Sequence, residues 1–120
     1  MYVVHETGRL VCVLDIDPFN DGHILILPKQ HFLDVEEIDE ETRHEIMDVA
    51  AEMSVRLKKI FRPDGITVCQ NGGIFNDLGH YHMHVIPRYR GDGFRWSEPK
   101  EEFKTKKSLK EIRDLFLAAP

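Results

Sequence analysis

Short β-prone runs open the chain. Val3 and Val4, then Leu10 to Leu14, flank Glu6-Thr7-Gly8-Arg9, and two such runs around a glycine-bearing turn predict a hairpin. The turn formers Asp17-Pro18-Phe19-Asn20-Asp21-Gly22 follow, and His23-Ile24-Leu25-Ile26-Leu27 then predicts a strand closed by Pro28, with His23 where loop becomes strand. From Asp39 the period changes. Ile46, Val49, Ala50, Met53, Leu57, Ile60 and Phe61 recur at steps of three and four, with Glu40 and Glu41 at one end and Lys58 and Lys59 at the other. That spacing, with charges that suit the helix dipole, predicts one long amphipathic helix stopped by Arg62-Pro63-Asp64-Gly65. Ile66 to Gln70 predicts a strand broken by Asn71-Gly72-Gly73, and His80 to Ile86 another, ended by Pro87. Past Arg90-Gly91-Asp92-Gly93 the pattern weakens. Ser108 with Glu111 three residues on, ahead of Ile112, Leu115 and Phe116, predicts a capping box and a short C-terminal helix.

These elements make one α+β domain with a mostly antiparallel sheet. A chain of 120 residues has room for a single modest core. The domain is expected to span 1–120, with the core at about 3–90 and a C-terminal extension at 91–120. No apolar run approaches the roughly 20 residues of a membrane span, and no secretory signal is visible at Met1, so no membrane partner and a cytoplasmic location are expected. The net charge of −5 argues against nucleic acid as a partner, and the late lysines alternate with glutamates as on a solvated face. Cys12 and Cys69 are far apart in apolar runs and read as buried, reduced thiols.

Chemistry enters with His80-Tyr81-His82-Met83-His84. In an extended segment alternate side chains share a face about 6.6 Å apart, so three imidazoles form one ridge while Tyr81, Met83 and Val85 turn to the core. Three adjacent imidazoles repel when all are protonated, so some must be neutral near pH 6.5. His5, His31 and His44 read as ordinary surface or core histidines. The ridge admits two uses. One is a zinc site, for which Asp77 is a nearby carboxylate. The other is phosphoryl or nucleotidyl transfer, in which a neutral imidazole attacks phosphorus while its neighbours donate to the charged oxygens. Asn71-Gly72-Gly73 and Asn76-Asp77-Leu78-Gly79 offer backbone access and amides beside it.

His80-Tyr81-His82-Met83-His84-Val85-Ile86 resembles the signature of the histidine triad (HIT) superfamily, three alternating histidines separated by apolar residues. The stretch from Leu14 to His31 is similar to that family's nucleoside-binding strand-turn-strand, and Pro87-Arg88 is also familiar. The resemblance runs from about Val3 to Arg88. It implies a HIT-like fold, a mostly antiparallel five-stranded sheet with one long and one or two short helices. It also implies a nucleotide-binding hydrolase or transferase, usually a homodimer, that works at the α-phosphate through a nucleotidyl-histidine. On this resemblance His82 is the nucleophile, held by the backbone carbonyl of His80. His84 and His23 surround the phosphate, Asp15 binds ribose hydroxyls, Ile16 packs on the base, and Asn71 lies near the α-phosphate.

The chain departs from the family at Phe75-Asn76-Asp77, where many relatives carry Gly-Gln-Ser or Gly-Gln-Thr. Asn76 can stand in for the amide. Asp77 puts an anion where a hydroxyl often touches the leaving group, which disfavours a strongly anionic one unless a cation bridges it. The N-terminal C-x-x-C pair of some relatives is absent, so no structural zinc through it is expected. Trp96 lies where some relatives reach a partner's site. No cofactor is required on this reading, although a divalent cation could arrive with the nucleotide. The alternatives are a metal-dependent hydrolase using the histidine cluster and a non-catalytic nucleotide-binding module.

Overall fold

The computed structural model describes residues 1–95, 97 and 106–119. Trp96 lies outside the described residues. Strands β1 (Val3–Glu6) and β2 (Leu10–Leu14) form the expected hairpin, followed by β3 (Ile24–Pro28), helix α1 (Glu40–Phe61), β4 (Gly65–Cys69), β5 (Met83–Arg88) and α2 (Leu109–Ala118). The five strands make one antiparallel sheet in the order β1-β2-β3-β5-β4. The α+β class and the sheet agree with the reading above.

Both helices start at a side-chain cap, and that of α2 is the one predicted. Asp39 accepts from the Thr42 amide at 3.1 Å, and Ser108 and Glu111 close a reciprocal capping box. Helix α1 ends at Arg62, which adopts the left-handed conformation (φ 49°) usually left to glycine. Among the described residues, no helix is long and apolar enough to cross a membrane.

Strand parity divides the sheet into two faces. Leu10, Cys12, Ile24, Ile26, Met83 and Val85 meet Ile46, Val49, Ala50, Met53 and Leu57 of α1 in the core. The other face carries a cross-strand row, Val13–Leu25–His84–Cys69, fixed by the register of four strands. Tyr81 is buried with the core, so the alternation of the histidine segment holds. Its paired part is shorter than the sequence suggests. Ladder pairing in β5 starts at Met83, and His80 to His82 are an extended approach to the strand. The strand also continues past the expected stop, because Pro87 faces Ile66 and Arg88 faces Gly65 in register. Pro28 likewise pairs with Leu10.

Candidate active site

Three histidines, His23, His82 and His84, converge at the open face. His84 and His23 are diagonal neighbours on β5 and at the start of β3, with Nδ1 of His84 2.8 Å from Nε2 of His23. The rings of His82 and His84 lie 4.9 Å apart, nearly edge to face. His23, Thr42 and His82 are the buried polar side chains among the described residues, so two of three belong to this cluster. A buried imidazole needs defined partners, and those partners fix its tautomer.

The carbonyl of His80 can only accept, and it lies 3.0 Å from Nδ1 of His82. Nδ1 therefore carries a proton, and in the neutral ring Nε2 holds the lone pair. The His80 side chain is committed elsewhere, its Nε2 donating to the carbonyl of Pro28 at 2.8 Å. It anchors the approach segment to the end of β3.

The amide of Phe19 can only donate, and it lies 3.0 Å from Nδ1 of His23. His23 therefore holds its proton on Nε2, shared between His84 Nδ1 and Asp15 Oδ2, the latter at 3.4 Å. Nδ1 of His84 is then an acceptor, and its Nε2–H remains as a donor. Burial pushes the pKa of His23 below its usual value against the pull of Asp15. Burial does the same to His84, helped by the neighbouring His82 and His23 and opposed by Asp15 and Asp77. Both shifts favour the neutral form of the His23–His84 pair, which leaves the Nε2–H of His84 as a donor beside His82.

The loop before β3 makes this geometry. Asp15 Oδ1 accepts from the Asp17 amide at 2.9 Å, the Asp15 amide donates to the His23 carbonyl at 2.9 Å, and the His23 amide donates to Asn20 at 3.1 Å. Gly22 turns the chain with φ 92° directly under Phe61, where a Cβ would lie 2.6 Å from the ring. Any side chain there must displace the Phe61 ring and adopt a backbone conformation that favours glycine.

The other expected site residues fall in different places. Ile16 is nearly fully exposed beside Asp15, and Asn71 lies at the rim of a cavity that also holds His23 and His84. Asp77 is exposed, with Oδ1 3.5 Å from His82 Nε2. Asn76 is committed to backbone, donating to the carbonyl of distant Leu33 and accepting from the Leu78 amide of its own loop. Asp15, His23 and His84 each present one ligand atom within 4.8 Å of the others, a grouping able to hold a metal ion and different from the triad-plus-Asp77 set suggested by spacing. Cys12 and Cys69 are free thiols with pKa raised by burial, that of Cys12 to about 11.

Residues 2–91 match the family model of the HIT domain. The chain belongs to the HIT family. It is 32% identical over 106 residues to the protein hit of Bacillus subtilis, covering 84% of this chain and 73% of that one. Over 94 residues it is 38% identical to a HIT-like protein of Methanocaldococcus jannaschii, covering 76% and 71%. A crystal structure of a HIT family member from Bacillus subtilis superposes with a TM-score of 0.83 at 28% identity, covering 99% of this chain and 87% of that one. Membership in the HIT family supports a nucleotide-binding hydrolase or transferase as the general class.

Three features of this HIT site were not read from the sequence. His31 packs beside His80, ring centroids 5.2 Å apart, and bonds the Gly79 carbonyl at 3.1 Å. Phe19 and Phe94 meet edge to face at 4.7 Å beside the imidazole pair. Arg88 grips Asp92 through two nitrogens, at 2.6 and 2.9 Å. The aromatic pair and the Arg88 grip join residues on both sides of the expected boundary at 90. A sequence signal existed only for the last, as an Arg and Asp four apart.

Proposed function

We propose that this chain cleaves at the α-phosphate of a nucleoside phosphoramidate, acyl-nucleotide or dinucleoside polyphosphate through a nucleotidyl-histidine on His82. The observation that carries the reading is the hydrogen bond from His82 Nδ1 to the His80 carbonyl, which makes Nε2 the nitrogen free to attack, beside the second imidazole of His84. Nε2 attacks phosphorus, the nitrogen–phosphorus bond forms, and the leaving atom departs with its bonding pair and is protonated from solvent. Nδ1–H of His82, held on the His80 carbonyl, carries the positive charge of the intermediate. Water then attacks phosphorus, the pair returns to Nε2, and a nucleoside 5′-monophosphate and one proton are released.

His84 donates from Nε2 to a phosphate oxygen, and His23 fixes it by occupying Nδ1. Asp15 takes the ribose hydroxyls, Ile16 covers the base, and Asn71 supplies an amide near the α-phosphate, while the Asn76 amide is taken by the Leu33 carbonyl. Asp77 acts against anionic leaving groups from its place beside His82. The assembly is a homodimer on this reading, supported by the exposed Ile112, Leu115 and Phe116 of α2, and a divalent cation enters only with the nucleotide.

The test is nucleoside monophosphate release from adenosine 5′-phosphoramidate and diadenosine tetraphosphate by wild type and His82→Ala, with and without a chelator. Chelator-resistant release that falls by at least about 10³-fold in His82→Ala is expected. Loss of activity on chelation supports a metal held by Asp15, His23 and His84 instead.

A further inference from the structure

Asn71 and Gly72 form the one Asn-Gly step in the chain. The step lies just past β4, whose ladder with β5 ends at Cys69, and both residues are exposed. We propose that it is a self-modification site, at which Asn71 loses its amide to become aspartate or isoaspartate and the histidine cluster gains an anion at its rim. The conversion itself is independent of the nucleotidyl-transfer reading above, whereas its effect on turnover rests on that reading.

The reaction needs a backbone nitrogen that can reach the side-chain carbonyl carbon. The Gly72 nitrogen gives up its proton and attacks Cγ of Asn71, a succinimide ring closes, and the side-chain nitrogen leaves with a proton as ammonia. Water then opens the ring at either carbonyl, so the products are aspartate and isoaspartate and no electron is gained or lost.

Three observations place the reaction here. The first is a free peptide. Among the described residues, neither the Gly72 N–H nor the Asn71 side chain makes a hydrogen bond, and Gly72 brings no side chain to obstruct ring closure. The loop is pinned only beyond this point, where the Gly73 amide donates to Asp34 Oδ1 at 2.8 Å and the Gly72 carbonyl accepts from the Phe75 amide at 3.2 Å. The second is the contrast with the other two asparagines, each followed by aspartate. The Asn20 side-chain amide donates to the Pro87 carbonyl at 2.8 Å and to Asp92 at 3.0 Å, and that of Asn76 to the Leu33 carbonyl at 3.3 Å. Both are held away from their own backbone. The third is position. Asn71 lines the cavity that also holds His23 and His84, and among the described residues no Lys or Arg lines it. A carboxylate formed there has no cation to neutralise it and repels a phosphate at the cluster.

The experiment ages full-length wild type and Gly72→Ala at mildly alkaline pH, which favours loss of the Gly72 proton. Peptide mapping with isoaspartyl methyltransferase labelling follows each asparagine. Each aged sample is assayed against its own fresh one for kcat/KM on adenosine 5′-phosphoramidate and for affinity toward adenosine 5′-monophosphate. In wild type, Asn71 is expected to convert at least about tenfold faster than Asn20 or Asn76, and Gly72→Ala to slow it at least about tenfold. Converted wild type is expected to lose about three- to tenfold in both kcat/KM and affinity, the effect of one charge near solvent, while aged Gly72→Ala keeps its fresh values. At Gly72 the φ of −113° suits alanine, and the atom nearest its Cβ is Asp34 Oδ1 at 3.1 Å, on a side chain able to give way. The comparison of the three asparagines needs wild type alone, so it decides the matter even if that variant does not fold. Conversion of Asn71 no faster than that of Asn20 and Asn76 overturns the modification site. Full conversion with kcat/KM and affinity both unchanged overturns its effect on the cluster. No turnover by fresh wild type overturns the nucleotidyl-transfer reading instead, and the charge effect is then decided by affinity.

Discussion

Gly22→Ala tests how the fold holds the site. At φ 92° an alanine pays about 1–2 kcal/mol for the left-handed region. Its Cβ would stand 2.6 Å from Phe61 Cε2 and 3.1 Å from Leu57 Cδ2. Leu57 is buried in the core, so the partly exposed Phe61 ring must swing outward, losing about 1 kcal/mol of apolar contact. Reduced entropy of the unfolded chain returns about 0.4–1 kcal/mol. The balance is a loss of about 1–2.5 kcal/mol. In urea that lowers the midpoint by about 1 M, and by heat it lowers Tm by roughly 5–15 °C. Gly8→Ala is the internal control, because its Cβ meets nothing within 4 Å and its φ is not positive. It should leave the midpoint unchanged or slightly raised. Gly22 adjoins His23, so kcat/KM should fall in Gly22→Ala and not in Gly8→Ala. Equal midpoints for the two variants would refute the steric argument.

Stability should depend on pH through His23 and His84. Both are depressed in the folded state, so the unfolded chain takes up protons first as pH drops from about 6.5. Stability from this source is complete above about pH 7 and is lost as pH falls through the folded values. The urea midpoint should therefore drop between pH 7 and 5, and less steeply in His84→Gln; equal slopes would contradict the assignment. Asp77→Ser removes an anion 3.5 Å from His82 Nε2. The kcat/KM ratio of diadenosine tetraphosphate to adenosine 5′-phosphoramidate should rise about two- to tenfold, as expected for one screened charge near solvent. A lower ratio would show that Asp77 helps anionic leaving groups, by holding a cation.

What could be read from the chain depended on the range of the interactions. Helix α1, the β1–β2 hairpin and the capping box of α2 are set by residues within a few positions of one another, and each stands where the local pattern puts it. The histidine ridge was legible for the same reason, since alternation needs only neighbours. Its paired start at Met83 was not, because a ladder depends on where β3 and β4 arrive. Asn76 shows the limit from the other side. Its residue type suits a phosphate contact, but its hydrogen bond to Leu33 comes from a segment 43 positions away. The aromatic pair of Phe19 and Phe94, tied by Asn20 and Asp92, joins positions 72 apart and has no local signature. The tautomers of His23 and His84 were likewise hidden, because the Phe19 amide reaches His23 only through the fold of its loop.

The central claim is that His82 Nε2 forms a bond to phosphorus. Its most direct test is intact-protein mass on rapidly quenched wild type and His82→Ala mixed with adenosine 5′-phosphoramidate, with peptide mapping of any adduct. The account predicts a transient gain of one adenylyl group on wild type, mapped to His82 and absent from the variant. Turnover without any adduct, or full turnover by His82→Ala, would contradict it.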